Sequence, residues 1–151
     1  MTGGLVTELG RPEEARALLE ASHAMMTALF EVDACHFLSL DALAGPDIAF
    51  FVARRDGQVV GCGALATRDS YGEIKSMFVD PDTRRGGVAA ALLTCLEAEA
   101  TAQGLPLVRL ETGDKLLAAR ALYRRHGFAE RGPFGSYTGH RHSVYMEKRI
   151  G

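Results

Sequence analysis

At Asp80-Pro81-Asp82 the chain changes from one pattern of secondary structure to another, and no other feature constrains the fold as much. Three β-rich runs precede it. Ile48–Arg55 and residues 58–66 are joined by Asp56-Gly57, a dipeptide whose two positions tolerate positive φ and so suit a two-residue hairpin. Gly72–Val79 follows the turn-like Arg68-Asp69-Ser70-Tyr71, which predicts a three-stranded antiparallel meander. Pro81 has no N–H for a ladder, so the third run stops there. Beyond it the pattern alternates: a helix over about 86–103 ended by Gly104, a β-rich run over 107–111, and a helix over about 115–126 ended by Gly127. Strand, helix and strand in that order predict a parallel crossover. Ser143–Arg149 alternates and reads as a closing strand. Near the start, Pro12 opens a helix reaching about Phe30, with Ala15, Leu18, Leu19, Ala21, Met25, Met26 and Leu29 along one stripe. The expected fold class is α/β with a mixed, α+β-like sheet, mostly antiparallel, carrying helices on both faces.

The 151 residues, 47% of them hydrophobic, suit a single domain spanning 1–151. Mean hydropathy is +0.00 and no apolar run approaches the roughly 18 residues of a membrane span, so no membrane partner is expected. Met1-Thr2-Gly3-Gly4 lacks the basic and apolar regions of a signal peptide. Seventeen Lys and Arg against nineteen Asp and Glu give a formal charge of -2, a poor match to a nucleic acid. Cys35, Cys62 and Cys95 have no CxxC spacing and read as reduced thiols of a cytoplasmic protein. His140-x-His142 has the spacing of a chelating pair, but no further ligand set completes it, so no metal is expected.

The segment from Gly72 to Ala89 runs from a strand through a glycine-containing turn into a long helix. The first N–H groups of such a helix lack intrahelical partners and the helix dipole adds positive potential. Gly86 and Gly87 carry no Cβ to hold an anion away. Arg84 and Arg85 add charge beside it. Charge-assisted hydrogen bonds contribute roughly 1.5–3 kcal/mol each and the dipole roughly 0.3–1, so directed donors dominate the grip on a phosphate. No Gly-Lys-Ser/Thr follows and no G-x-G-x-x-G is present, which disfavours ATP and NAD. Further on, Leu122-Tyr123-x-x-x-Gly127-Phe128 places a phenol one turn before a glycine helix stop.

Arg84-x-x-Gly87-x-Ala89 followed by Leu122-Tyr123-x-x-x-Gly127-Phe128 resembles the GNAT superfamily of acyl-CoA-dependent N-acetyltransferases, over nearly the whole chain. Gly61-Cys62-Gly63-Ala64-Leu65, Gly72-Glu73-Ile74-Lys75-Ser76-Met77, Leu110-Glu111-Thr112-Gly113 and Pro133-Phe134-x-x-Tyr137 resemble its bacterial YsnE-like branch. The resemblance implies a sheet splayed at the cofactor site and acetyl-CoA as cosubstrate. It implies that backbone N–H groups around Arg85, Gly86, Gly87, Val88 and Ala89 hold the pyrophosphate, with Arg84 at the first position of the turn. The backbone of Met77, Phe78 and Val79 would pair with the pantetheine amides as an added strand. Tyr123 matches the general acid that protonates the departing thiolate. Glu73, eleven residues before Arg84, matches the strand position of a general base, and an ion pair with Lys75 or a cross-strand partner is the other reading of that carboxylate. Leu116 stands where many members carry Asn. Glu111, at the end of the next strand, is a second carboxylate able to orient a cationic acceptor.

A base is required because an alkylammonium with a pKa near roughly 10.4 is mostly protonated at neutral pH and cannot attack a thioester. The resulting expectation is an N-acetyltransferase that moves acetyl from acetyl-CoA to a primary amine, of a small molecule or an exposed amino group, by direct attack in a ternary complex. The alternative keeps the fold without catalysis, as an acyl-CoA-binding sensor or a module that regulates a partner. His23, Met25, Met26, His36, Phe134 and Tyr137 are candidates to line an acceptor pocket. Homodimers are common in the family, and nothing in the residues decides for or against one.

Overall fold

The computed structural model describes residues 4–30, 38–83 and 86–151. Its frame is one seven-stranded sheet in the order β1-β2-β3-β4-β5-β7-β6. β1 is Leu5–Leu9, β2 Ile48–Arg55, β3 Gln58–Thr67, β4 Gly72–Val79, β5 Leu107–Gly113, β6 Ala129–Arg131 and β7 Ser143–Arg149. The helices are α1 (Arg16–Leu29), α2 (Leu40–Leu43), α3 (Val88–Ala102) and α4 (Leu117–Arg125). Every strand contact is antiparallel except β4 with β5, the pair joined by the α3 crossover.

The local signals act where the sequence places them. Asp56 and Gly57 take φ of 53° and 80°, which turns β2 tightly into β3 with Arg55 opposite Gln58. Gly104 and Gly127 adopt φ of 76° and 92° just past the ends of α3 and α4. The first helical stretch differs in detail. Pro12–Ala15 form a 3-10 turn before α1, closed by Arg11 N–H donating to Glu14 Oε1 at 2.9 Å. Three short elements, β1, α2 and β6, had no sequence expectation.

Helices cover both faces. On one, Leu92, Leu93 and Leu96 of α3 pack with Leu65, Ile74, Leu110 and Tyr123. On the other, Leu19 of α1 and Leu43 of α2 pack with Phe50, Val52, Cys62, Ala64 and Phe78. Close approach of α3 to β3 depends on small residues: a Cβ on Gly61 would stand 2.8 Å from Val88 Cγ1, and one on Gly63 3.1 Å from Leu96 Cδ1. A third, aromatic cluster of Tyr71, Phe134 and Tyr145 docks the 132–142 loop on the sheet beside β4, β5 and β7.

Candidate functional site

The sheet opens between β4 and β5. Their register holds for three pairs, Gly72 with Val108, Glu73 with Arg109 and Ile74 with Leu110. Past that point β4 continues to Val79 paired with β3, and β5 continues to Gly113 paired with β7. A ladder that ends on one side leaves N–H and C=O groups for another partner. At the same place β4 carries a bulge, for Ala64 faces Lys75 while Cys62 faces Phe78, so one extra residue sits on β4. Ser76 absorbs it at φ 55°, an uncommon conformation for a residue with a Cβ, and its Oγ is buried without a hydrogen-bond partner.

The opening forms a cleft of about 120 Å³. Lys75, Ser76 and Met77 line it from β4, Glu111 and Thr112 from β5, His23 and Met26 from α1, and Ala119 and Tyr123 from α4. Because α1 and α4 lie on opposite faces, the cleft runs into the sheet from both sides. Tyr123 is buried in its wall against Phe128, ring centroids 5.8 Å apart, and burial pushes its phenol up to about 12. The hydroxyl therefore holds its proton throughout the neutral range. Leu116, just before α4, presents an apolar group to the cleft, so that position offers no polar side chain.

At the far end of β4, Gly87 begins α3 at φ 78°, and the Ala91 N–H donating to Gly87 C=O at 3.0 Å is the first helical bond. Helix geometry thus leaves Val88, Ala89 and Ala90 N–H without intrahelical acceptors. The Gly86 N–H already donates to Thr83 C=O at 3.3 Å, and its own carbonyl accepts from Arg55 Nη2 at 3.1 Å. A Cβ at Gly86 would lie 2.7 Å from Arg55 Nη1, while Gly87 faces open space. The start of α3 is thus open at Gly87, with the Val88 and Ala89 N–H groups left without helical acceptors, while Gly86 is packed against Arg55. Arg84 and Arg85 lie outside the described residues, as do His36 and Cys35.

Glu73 lies apart from Tyr123, in a second cleft lined by Leu38, Arg68, Tyr71, Lys75 and Tyr137. Its buried carboxylate is held on both oxygens. Oε1 accepts from Arg68 Nη2 at 3.2 Å, and Oε2 accepts from the Tyr137 hydroxyl at 2.6 Å with Lys75 Nζ at 3.5 Å. The ion pair read from the sequence is therefore present. Lys75 lines both clefts and connects them. Glu111 accepts from Ser143 Oγ at 2.9 Å and lies on the Tyr123 cleft. The sequence marks Arg68 as a turn residue only, not as a partner of Glu73. Alternation along β4 puts Glu73 and Lys75 on one face, a usable signal for the pair; nothing local to Ser76 announces a positive φ.

His142 Nδ1 lies 3.1 Å from Asp114 Oδ2, beside Phe30 and away from both clefts. No group of three or more His, Cys, Asp and Glu able to hold a metal occurs among the described residues. Among the same residues, no helix is long and apolar enough to cross a membrane.

Residues 15–128 match the family model described as Acetyltransferase (GNAT) family. An IAA acetyltransferase of Azospirillum brasilense is 48% identical over 135 residues, 88% of each chain. The uncharacterized N-acetyltransferase YsnE of Bacillus subtilis is 38% identical over 128 residues, 83% of this chain and 85% of that one. A solved structure of PaiA N-acetyltransferase from Thermoplasma acidophilum in complex with coenzyme A shares the fold at a TM-score of 0.74 and 15% identity, covering 97% of this chain and 99% of that one.

Proposed function

The chain belongs to the GNAT family of acetyltransferases, and from that premise we propose that it is an N-acetyltransferase using acetyl-CoA, with a primary amine as acceptor and residues 1–151 as one catalytic domain. The observation that carries the proposal is the parting of β4 and β5 beside a buried tyrosine, with an open helix start at the other end of the same strand. Acetyl-CoA supplies the acetyl group as an activated thioester.

The chain's own residues divide the work. Val88 and Ala89 N–H, with Gly86 and Gly87 offering no side-chain obstruction, suit a pyrophosphate, and the orphaned donors there fit that role. Arg84 and Arg85 are assigned the accompanying charge. The β4 backbone at Met77, Phe78 and Val79 lies where no β5 partner is in register, which fits an extended amide chain laid alongside. Tyr123 holds a proton in the wall of the cleft. A thiol of ordinary pKa near roughly 8.5 is a stronger acid than this buried phenol, so the hydroxyl assists by donating a hydrogen bond to the sulfur as charge develops there. Glu73 is assigned as the proton sink for the acceptor. The nucleophile assigned is the acceptor nitrogen itself; among the described residues no cysteine lines either cleft, and burial pushes the Cys62 thiol up to about 12.

The test is calorimetric titration with acetyl-CoA beside acetyl-pantetheine, which lacks the pyrophosphate, followed by thiol release with a panel of amines. IAA, a carboxylic acid rather than an amine, is assayed beside the panel because the Azospirillum relative is named for it. Micromolar binding that weakens at least about 100-fold without the pyrophosphate, with amine-dependent thiol release, is the expected result. Binding without transfer to any acceptor makes the chain an acyl-CoA sensor instead.

A further inference from the structure

Pro133-Phe134-x-x-Tyr137 brings a phenol onto the buried carboxylate of β4. Phe134 anchors this loop. Its ring meets Tyr71, Tyr145 and Tyr137 at centroid distances of 5.6, 5.8 and 5.2 Å, and its carbonyl accepts the Tyr137 N–H at 3.0 Å. The Tyr137 ring also packs on Tyr145 at 5.5 Å, so its position does not depend on its hydroxyl. That hydroxyl donates to Glu73 Oε2 at 2.6 Å and accepts from Lys75 Nζ at 2.8 Å. The Glu73 side chain is 5% exposed, whereas Tyr137 is only half-buried and lines the cleft. The outer member of this hydrogen-bonded pair is thus the phenol, and the inner one the carboxylate.

We propose that Tyr137 is the proton relay between the acceptor amine and Glu73, the hydroxyl rather than the carboxylate being the group the acceptor nitrogen meets. The inference rests on the N-acetyltransferase assignment above. In the step, an N–H bond of the acceptor ammonium breaks as an O–H bond forms on Tyr137. The original Tyr137 O–H breaks as its proton passes to Glu73 Oε2. The electron pair stays on nitrogen, Glu73 becomes neutral and Tyr137 is regenerated. The Lys75 ammonium at 2.8 Å steadies the phenol oxygen while charge passes through it. Arg68 holds the other carboxylate oxygen, and Arg68 and Glu111 on β5 also act electrostatically on Tyr137. Burial and the Glu73 carboxylate both raise the phenol well above its ordinary range, so it rests as the neutral donor such a relay needs.

Tyr137→Phe removes the hydroxyl and keeps the ring. With phenethylamine, tryptamine, spermidine and the α-amino acids as acceptor probes, the relay predicts that kcat falls about tenfold or more while KM for acetyl-CoA stays within about twofold. It also predicts that Tyr137→Phe and Glu73→Gln are non-additive, the double variant being no more than about threefold slower than the slower single. Glu73→Asp, which draws the carboxylate back by one methylene, is the second variant if Tyr137→Phe loses its cooperative thermal transition, and the same fall in kcat is expected of it. A Tyr137→Phe enzyme with wild-type kcat, or one altered only in Tm or in KM for acetyl-CoA, overturns the relay and leaves the acetyltransferase assignment standing. A wild-type enzyme that transfers acetyl to none of the probes overturns both.

Discussion

Gly72, Glu73 and Ile74 at the start of β4 are in register with β5 as well as β3, whereas at its end Phe78 and Val79 pair with β3 alone and Ser76 and Met77 fall in the bulge. The first half is paired on both sides. Ile74 joins the α3-side core and Glu73 is clamped by Arg68 and Tyr137. The second half is bulged, holds a serine at positive φ, and leaves backbone toward a cleft. One strand thus does two jobs, and a single extra residue separates them. Continuous pairing stabilises the sheet, while interrupted pairing leaves hydrogen-bonding groups for a ligand.

The largest effect expected on that comparison is chemical. Tyr123→Phe takes the hydroxyl from the open half's cleft and should lower kcat about tenfold or more, with acetyl-CoA affinity nearly unchanged by calorimetry. A variant with full turnover removes Tyr123 as the hydrogen-bond donor to the departing sulfur. Next comes a packing change in the doubly paired half. A Cβ at Gly72 would stand 2.8 Å from Leu65 Cδ1 and 3.3 Å from Leu105 Cδ1, and Leu65 is fully buried. Gly72→Ala should therefore cost about 1–3 kcal/mol in denaturant unfolding while acetyl-CoA binding to the folded fraction is kept. Lost affinity at unchanged stability would show that the two halves are not separable. The smallest effect is at Gly87, where φ of 78° with nothing within 4 Å makes the penalty purely conformational. Gly87→Ala should cost about 1 kcal/mol of stability and weaken acetyl-CoA binding, since the helix start would shift. Equal affinity in this variant would take the α3 N-terminus out of the binding site.

Much of this was legible before any coordinates. Asp56-Gly57 announced the hairpin, Gly104 and Gly127 the helix stops, and Pro81 the end of β4, because each acts through its own φ or its own missing N–H. The family motifs picked out Tyr123 and Glu73, and the strand pattern allowed the Glu73–Lys75 ion pair beside the catalytic reading. What stayed hidden depends on distant neighbours. β1 is five residues long and takes its register wholly from β2, while β6 has three residues and takes its own from β7. Arg68 and Tyr137 meet Glu73 from five and 64 positions away, a meeting set by where the Phe134 anchor lands.

The amino-acid sequence by itself thus determined the local geometry: which stretches are strands and helices, where they stop, and which helix start is free of Cβ atoms. The tertiary structure alone decided that β4 and β5 part after three pairs, that Ser76 takes the strain of the bulge, and that a loop phenol seals a buried carboxylate. The physical reason is one of range. Propensity, capping and turn chemistry act over a few residues, whereas register, strand separation and hydrogen-bond partners across the sheet depend on how the elements pack against one another.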